Sequence, residues 1–150
     1  MTQEDKELLL KDLCARLPYG VIVDYKENEF EFPHWKITTI YPDTFDGWIG
    51  YDKRVGAGSE SGSRHFNIGE IKFYLRPMSS MTDEEEKEFA YTILQQPDLD
   101  AVRNWETISI DLKELSKVLN WLNAHHFDYR GLIEMGLALE ATENMYKNLK

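Results

Sequence analysis

The stretch "TQEDKELLLKDLCARLPYGVIVDYKE", residues 2–27, changes its hydrophobic period in the middle, and that change sets the fold class. Up to Leu17 the apolar residues recur at helical spacing, with Leu10, Leu13, Leu17 and Cys14 on one face. Thr2 is placed to cap the first turn, Glu4 and Asp5 sit near the positive end of the helix dipole, and Glu7–Lys11 and Asp12–Arg16 are i,i+4 ion pairs of the favourable order. Pro18 and Gly20 then stop the helix. Beyond them Val21, Val23 and Tyr25 alternate with Ile22, Asp24 and Lys26, which is the period of a strand. A helix running directly into strand sequence predicts an α+β protein.

Working outward, "FEFPHWKITTIY" (30–41) is rich in aromatic and β-branched residues and reads as a strand, edge or bulged at Pro33, which has no amide to give a ladder. "FDGWIGYDKR" (45–54) offers a third, short strand, and close spacing favours an antiparallel meander. "GAGSESGS" (56–63), flanked by Lys53, Arg54 and Arg64, reads as a flexible connection at about 55–65; no helix start follows it, as a phosphate-cradling loop requires. "NIGEIKFYLRP" (67–77) fits two periods, and the reading taken is a short helical turn capped by Asn67 and Glu70. In "MTDEEEKEFAYTILQQP" (81–97) Thr82 and Glu85 form a capping box, and Pro97 ends the helix. A further helix starts at Asp111, with Leu112, Leu115, Leu119 and Leu122 as its apolar seam; Asp128 then caps a second short helix that Gly136 terminates, and "LALEA" (137–141) alternates like a brief strand.

The whole is predicted to be a single globular domain over residues 1–150: an N-terminal helix, a small antiparallel sheet in the first half, and a helical second half packed on it. A chain of 150 residues with 42% hydrophobic content is long enough to bury one core. Its single cysteine, Cys14, forms no internal disulfide and reads as a small buried hydrophobe. The acidic start and the lack of any apolar run of about 20 residues exclude a signal peptide and a membrane span from the reading, so a cytoplasmic protein is expected. Net charge is −10: residues 1–60 hold twelve acids and seven bases, residues 61–150 fifteen and ten, so each part is −5. Such evenly interleaved acidity opposes direct nucleic-acid binding and resembles a solvated surface more than a ladder of phosphates.

The chemistry-bearing residues gather at 121–130, where "WLNAHHFDYR" holds adjacent histidines with Trp121, Asp128, Tyr129 and Arg130. As a catalytic cluster this is His125, His126 and Asp128; as a binding surface it is Trp121, Tyr129 and Arg130. Metal ligation asks for histidines four apart on one helix face, whereas neighbours diverge by about 100°. No metal site and no cofactor are therefore expected. The plainer reading is a helix-to-helix corner, with His126 continuing the seam from Leu122 and buried neutral, His125 on the flank and able to titrate, and Asp128 a cap.

"DKELLLKDLCARLPYGV", "YLRPMSSMTDEEEKEF" and "NWLNAHHFDYRGLIEMGLALEATENMYK" resemble a group of small proteins common in gut Bacteroides genomes and their mobile elements and phages, a group with no assigned activity. The resemblance covers the N-terminal helix and most of the second half, not residues 25–68. It implies a source and a shared frame but no site; Phe73 departs from it, since relatives carry proline there. Separately, "LIEMGLALEA" (132–141) is similar to the helix–glycine–strand junction of winged-helix domains, though "YRGLIEM" lacks the Arg, Lys, Asn and Gln of a base-reading helix. The expected function is that of a non-enzymatic accessory protein acting by binding another protein. The alternatives are a small hydrolase-like enzyme using His125, His126 and Asp128, and a nucleic-acid mimic or winged-helix-like regulator.

Overall fold

The computed structural model describes residues 1–25, 34–40, 44–49, 62–93, 111–142 and 144–146. Helix α1 runs Gln3–Arg16 and is followed by a 3-10 turn, Leu17–Tyr19. The strands are β1 (Val21–Tyr25), β2 (His34–Ile40), β3 (Thr44–Ile49), β4 (Gly62–Asn67), β5 (Ile71–Leu75) and β6 (Leu139–Glu140). Helix α2 (Asp83–Glu88) passes into a π-helical turn, Phe89–Ile93, and α3 spans Leu112–Ala124. The fold is α+β, as its sequence periods require.

The six strands form one mixed sheet in the order β4-β3-β2-β1-β5-β6, antiparallel except for the β5–β6 pair. Strands β4 and β5 are joined by only three residues, yet three other strands lie between them in this order. In a flat sheet they would stand about 19 Å apart, at ~4.8 Å per strand. The link reaches about 14 Å at most. The sheet must therefore curl so that β4 comes round toward β5, to which the turn at residues 68–70 joins it. Trp35 of β2 meets Phe66 of β4 edge to face at 5.2 Å inside that curl.

Two cores result. Leu9 and Leu13 of α1 pack into the curled sheet against Val21, Val23, Ile37 and Phe73. A smaller cluster joins Phe89 and Ala90 to Val118, Trp121, Leu122 and Phe127. The turn at Gly20, with φ +80, lets the chain reverse from α1 into β1; a side chain there would meet the Lys36 side chain at 3.0 Å as well as an unfavourable backbone.

Several local expectations need correction. The segment 67–77 is strand, not helix: Ile71, Phe73 and Leu75 are buried while Lys72 and Tyr74 are half-buried, a period-two pattern that pairing with β1 rewards. Asn67 and Glu70 instead close the β4–β5 turn, the Glu70 carboxylate accepting from the Asn67 amide (2.8 Å) and side-chain Nδ2 (3.1 Å). Phe73 pairs with Val23 in this strand. Residues 62–65 belong to β4 and not to a loop; residues 55–61 lie outside those described, as do Pro33 and Pro97. Strand β2 is interior to the sheet, with an irregularity in its pairing to β3 between Ile37 and Thr39.

On α1 the buried face is Leu9, Asp12, Leu13 and Arg16, and Cys14 is exposed, because the Asp12–Arg16 pair finds polar partners inside. On α3 the buried face is Val118, Trp121, Leu122 and Asn123, leaving Leu112 84% and Leu115 38% exposed. The large Trp121 ring, 4.8 Å from Phe89, takes an inward position beside Leu122, while Leu112 and Leu115 of the expected seam stay outside. Residues 129–138 form turns where a second short helix was expected.

Candidate functional site

The corner after α3 is built by a helix-ending motif. Asp111 caps the start of α3 through the Lys113 amide (3.1 Å). At the other end the Phe127 amide reaches back to the Leu122 carbonyl (3.0 Å) and the His126 amide to that of Asn123 (3.1 Å), the two bonds of a Schellman ending. The left-handed position in that motif normally holds glycine; here it is His126, with φ +59. A side chain in this conformation costs about 1 kcal/mol, so something must hold it.

What holds it is burial. His126 is 1% exposed and its ring stacks on Tyr146, centroids 3.7 Å apart and planes 11° apart. Its ring also hydrogen-bonds the Tyr19 backbone, while Nδ1 is buried without a protein partner. Burial first, then the nearby Arg16 guanidinium, push its pKa from the ordinary 6.5 down to about 3. His126 is thus buried and neutral as expected, but through a backbone turn and not by continuing the helix seam.

His125 turns the other way. It is half-buried, stacks on Trp121 at 4.0 Å, and its Nδ1 lies 2.9 Å from the Trp121 carbonyl. Asp128 is buried, and its two carboxylate oxygens accept from the amides of Leu132 (2.9 Å) and Ile133 (2.8 Å). That is a capping task, fulfilled on a turn that Gly136, with φ +69, terminates. The three weighed as a catalytic group are each committed to a different neighbour. Among the described residues no three His, Cys, Asp or Glu side chains are grouped to hold a metal ion.

The proposed binding residues are likewise engaged. The Trp121 indole donates to Glu88 (3.0 Å), the Tyr129 hydroxyl to Asn123 (3.1 Å), and Arg130 Nε to Asp12 (3.0 Å). This last contact leads to what the sequence reading missed. Asp12 and Arg16 are wholly buried, joined through Arg16 Nε (2.6 Å) and Nη2 (3.1 Å), and Nη2 also donates to the Phe127 carbonyl (2.8 Å). A helical i,i+4 ion pair looks the same in sequence on a surface or in a core; its flanks of Leu9 and Leu13 were the available signal.

A second clamp lies beside it. Arg76 donates to both oxygens of Glu85 (2.7 and 2.8 Å), and its guanidinium lies 4.3 Å from the Phe127 ring centroid. Burial raises the Glu85 pKa, but hydrogen bonds from Arg76 and the Thr82 amide outweigh it and hold the carboxyl below its ordinary value. A surface cleft of about 460 Å³ lies elsewhere, between the start of α1 and the β4–β5 turn, lined by Lys6, Leu10, Asn67 and Gly69 among others; neither His125 nor His126 lines it. No helix among the described residues is long and apolar enough to cross a membrane. No known family's model, no curated protein and no solved structure matches this chain.

Proposed function

We propose that the protein is a non-enzymatic accessory protein of a bacterium or its mobile elements, acting in the cytoplasm by binding another protein. The observation that carries this reading is the first half of α3, where Leu112 and Leu115, one turn apart, stay 84% and 38% exposed beside the exposed Asp111. An apolar edge left open beside a carboxylate, on a chain of net charge −10, suits a partner that offers an apolar groove with a basic rim. The histidine corner supports the same reading, because His125, His126 and Asp128 serve the scaffold. Affinity capture from the native host, repeated with Leu112→Ser/Leu115→Ser, tests it. One protein captured by the native chain, lost with the double variant and weakened by salt, is the expected result. Capture that ignores both leucines, or a hydrolytic activity abolished by His125→Ala, would overturn it.

A further inference from the structure

The ladder between β1 and β5 ends early. Among the described residues it pairs Tyr25 with Ile71, Asp24 with Lys72 and Val23 with Phe73. Yet β1 extends back to Val21 and β5 onward to Leu75, so Ile22 opposite Tyr74 is the next pair in register. In its place stands a side chain from the far end of the sequence. The Ile22 amide donates to Tyr146 Oη (3.4 Å), and the same hydroxyl donates to the Tyr74 carbonyl (2.7 Å). One phenol is spliced into the ladder where a direct backbone bond belongs.

Tyr146 is supported from behind by the stacked His126 ring. Beyond the splice, β5 is drawn toward its other edge: Tyr74 pairs with Leu139, Leu75 with Glu140, and the Leu75 carbonyl accepts from the Ala141 amide (2.8 Å). Arg76 continues this course, its amide bonding the His126 carbonyl (2.8 Å) and its carbonyl accepting from the Asp128 amide (2.7 Å).

We propose that Tyr146 is a latch: its hydroxyl holds β1 and β5 apart, and its withdrawal lets Ile22 and Tyr74 pair directly and draws the end of β5 toward β1. The latched arrangement keeps the Ile22 amide and the Tyr74 carbonyl each hydrogen-bonded and adds the stacked ring, where direct pairing would join that same amide and carbonyl to one another. Because Arg76 follows Leu75 and clamps Glu85 and Phe127, release of the latch is felt in the second core around Trp121. The latch therefore ties the segment after β6 to the helical part of the molecule.

Through-hydrogen-bond coupling between the Ile22 nitrogen and the Tyr74 carbonyl carbon, measured by NMR on the full chain, tests this. The native protein should show none. Tyr146→Phe keeps the ring and removes the hydroxyl, and Tyr146→Ala removes both; each should gain the coupling, and Tyr146→Ala should also shift the Arg76 and Phe127 resonances. A direct coupling already present in the native chain would sink the proposal. So would its absence from Tyr146→Phe while circular dichroism shows that variant folded, an outcome that stands even if Tyr146→Ala fails to fold.

Discussion

Arg16 and Asp12, one turn apart on α1 with side chains fully buried, meet at 2.6 Å, and through Arg16 Nη2 the pair grips the carbonyl of Phe127. A local pair of the N-terminal helix thus anchors the corner that ends α3. Asp12→Ala leaves Arg16 buried without its counter-charge and should cost about 3–5 kcal/mol in urea melts. Arg130→Ala removes the partly exposed partner and should cost under about 1 kcal/mol. Replacing Asp12 and Arg16 together by leucine and methionine should cost less than Asp12→Ala alone, since no charge is stranded. Equal losses for the Asp12 and Arg130 variants would mean that the pair is not buried.

His126 carries two separable costs, one of backbone and one of ring. His126→Ala loses the Tyr146 stack and leaves a side chain at φ +59, with an expected loss on the order of 1–3 kcal/mol. His126→Gly loses the same ring but relaxes the backbone, so it should be more stable than the alanine variant by about 1 kcal/mol. His125→Ala, on the half-buried side, should cost under about 1 kcal/mol. Denaturant melts of the three variants check the order; a glycine variant less stable than the alanine one would show that the left-handed turn is not what the ring maintains.

Acid should weaken the fold through His126 at milder pH than through its paired carboxylates. Its pKa is depressed to about 3 in the folded chain against an ordinary 6.5, so between these values the unfolded state binds the extra proton. Its contribution is fully present above about pH 6.5 and falls as pH drops toward 3, with a slope of up to ~1.4 kcal/mol per pH unit. Glu85, held low by Arg76, loses stability in the same direction, at lower pH. The difference between native protein and His126→Asn, melted at pH 7 and pH 5, isolates the histidine. The native chain should lose more; parallel losses would place the acid sensitivity elsewhere.

Zinc should find no stoichiometric site at the histidine corner. His125 faces Trp121 and His126 faces Tyr146, so their ring nitrogens do not converge. Calorimetry on chelator-stripped protein at micromolar concentration is expected to give only the heat of dilution. A one-to-one isotherm that disappears in His126→Ala would require the two rings to reorient together.

What could be read from sequence was local chemistry. The Thr82–Glu85 capping box, the caps at Thr2 and Asp111, the stop after Leu17 and the left-handed Gly136 all form as their residue types dictate, because each bond spans only a few residues. The early strands follow from period and β-branched content for the same reason. Only the tertiary structure decided which faces point inward. Residues 71–75 fit a helix or a strand equally well until β1 supplied a partner. Asp12 and Arg16 read only as a favourable i,i+4 ion pair, and the Phe127 carbonyl and Arg130, more than a hundred residues away, gave them a reason to be buried. His126 became a left-handed residue because Tyr19 and Tyr146 stabilise its ring there, and Tyr146 entered the β1–β5 ladder from the far end of the chain. Such outcomes depend on long-range partners whose energies exceed local preference by a kilocalorie or more, and no window of neighbouring residues contains them.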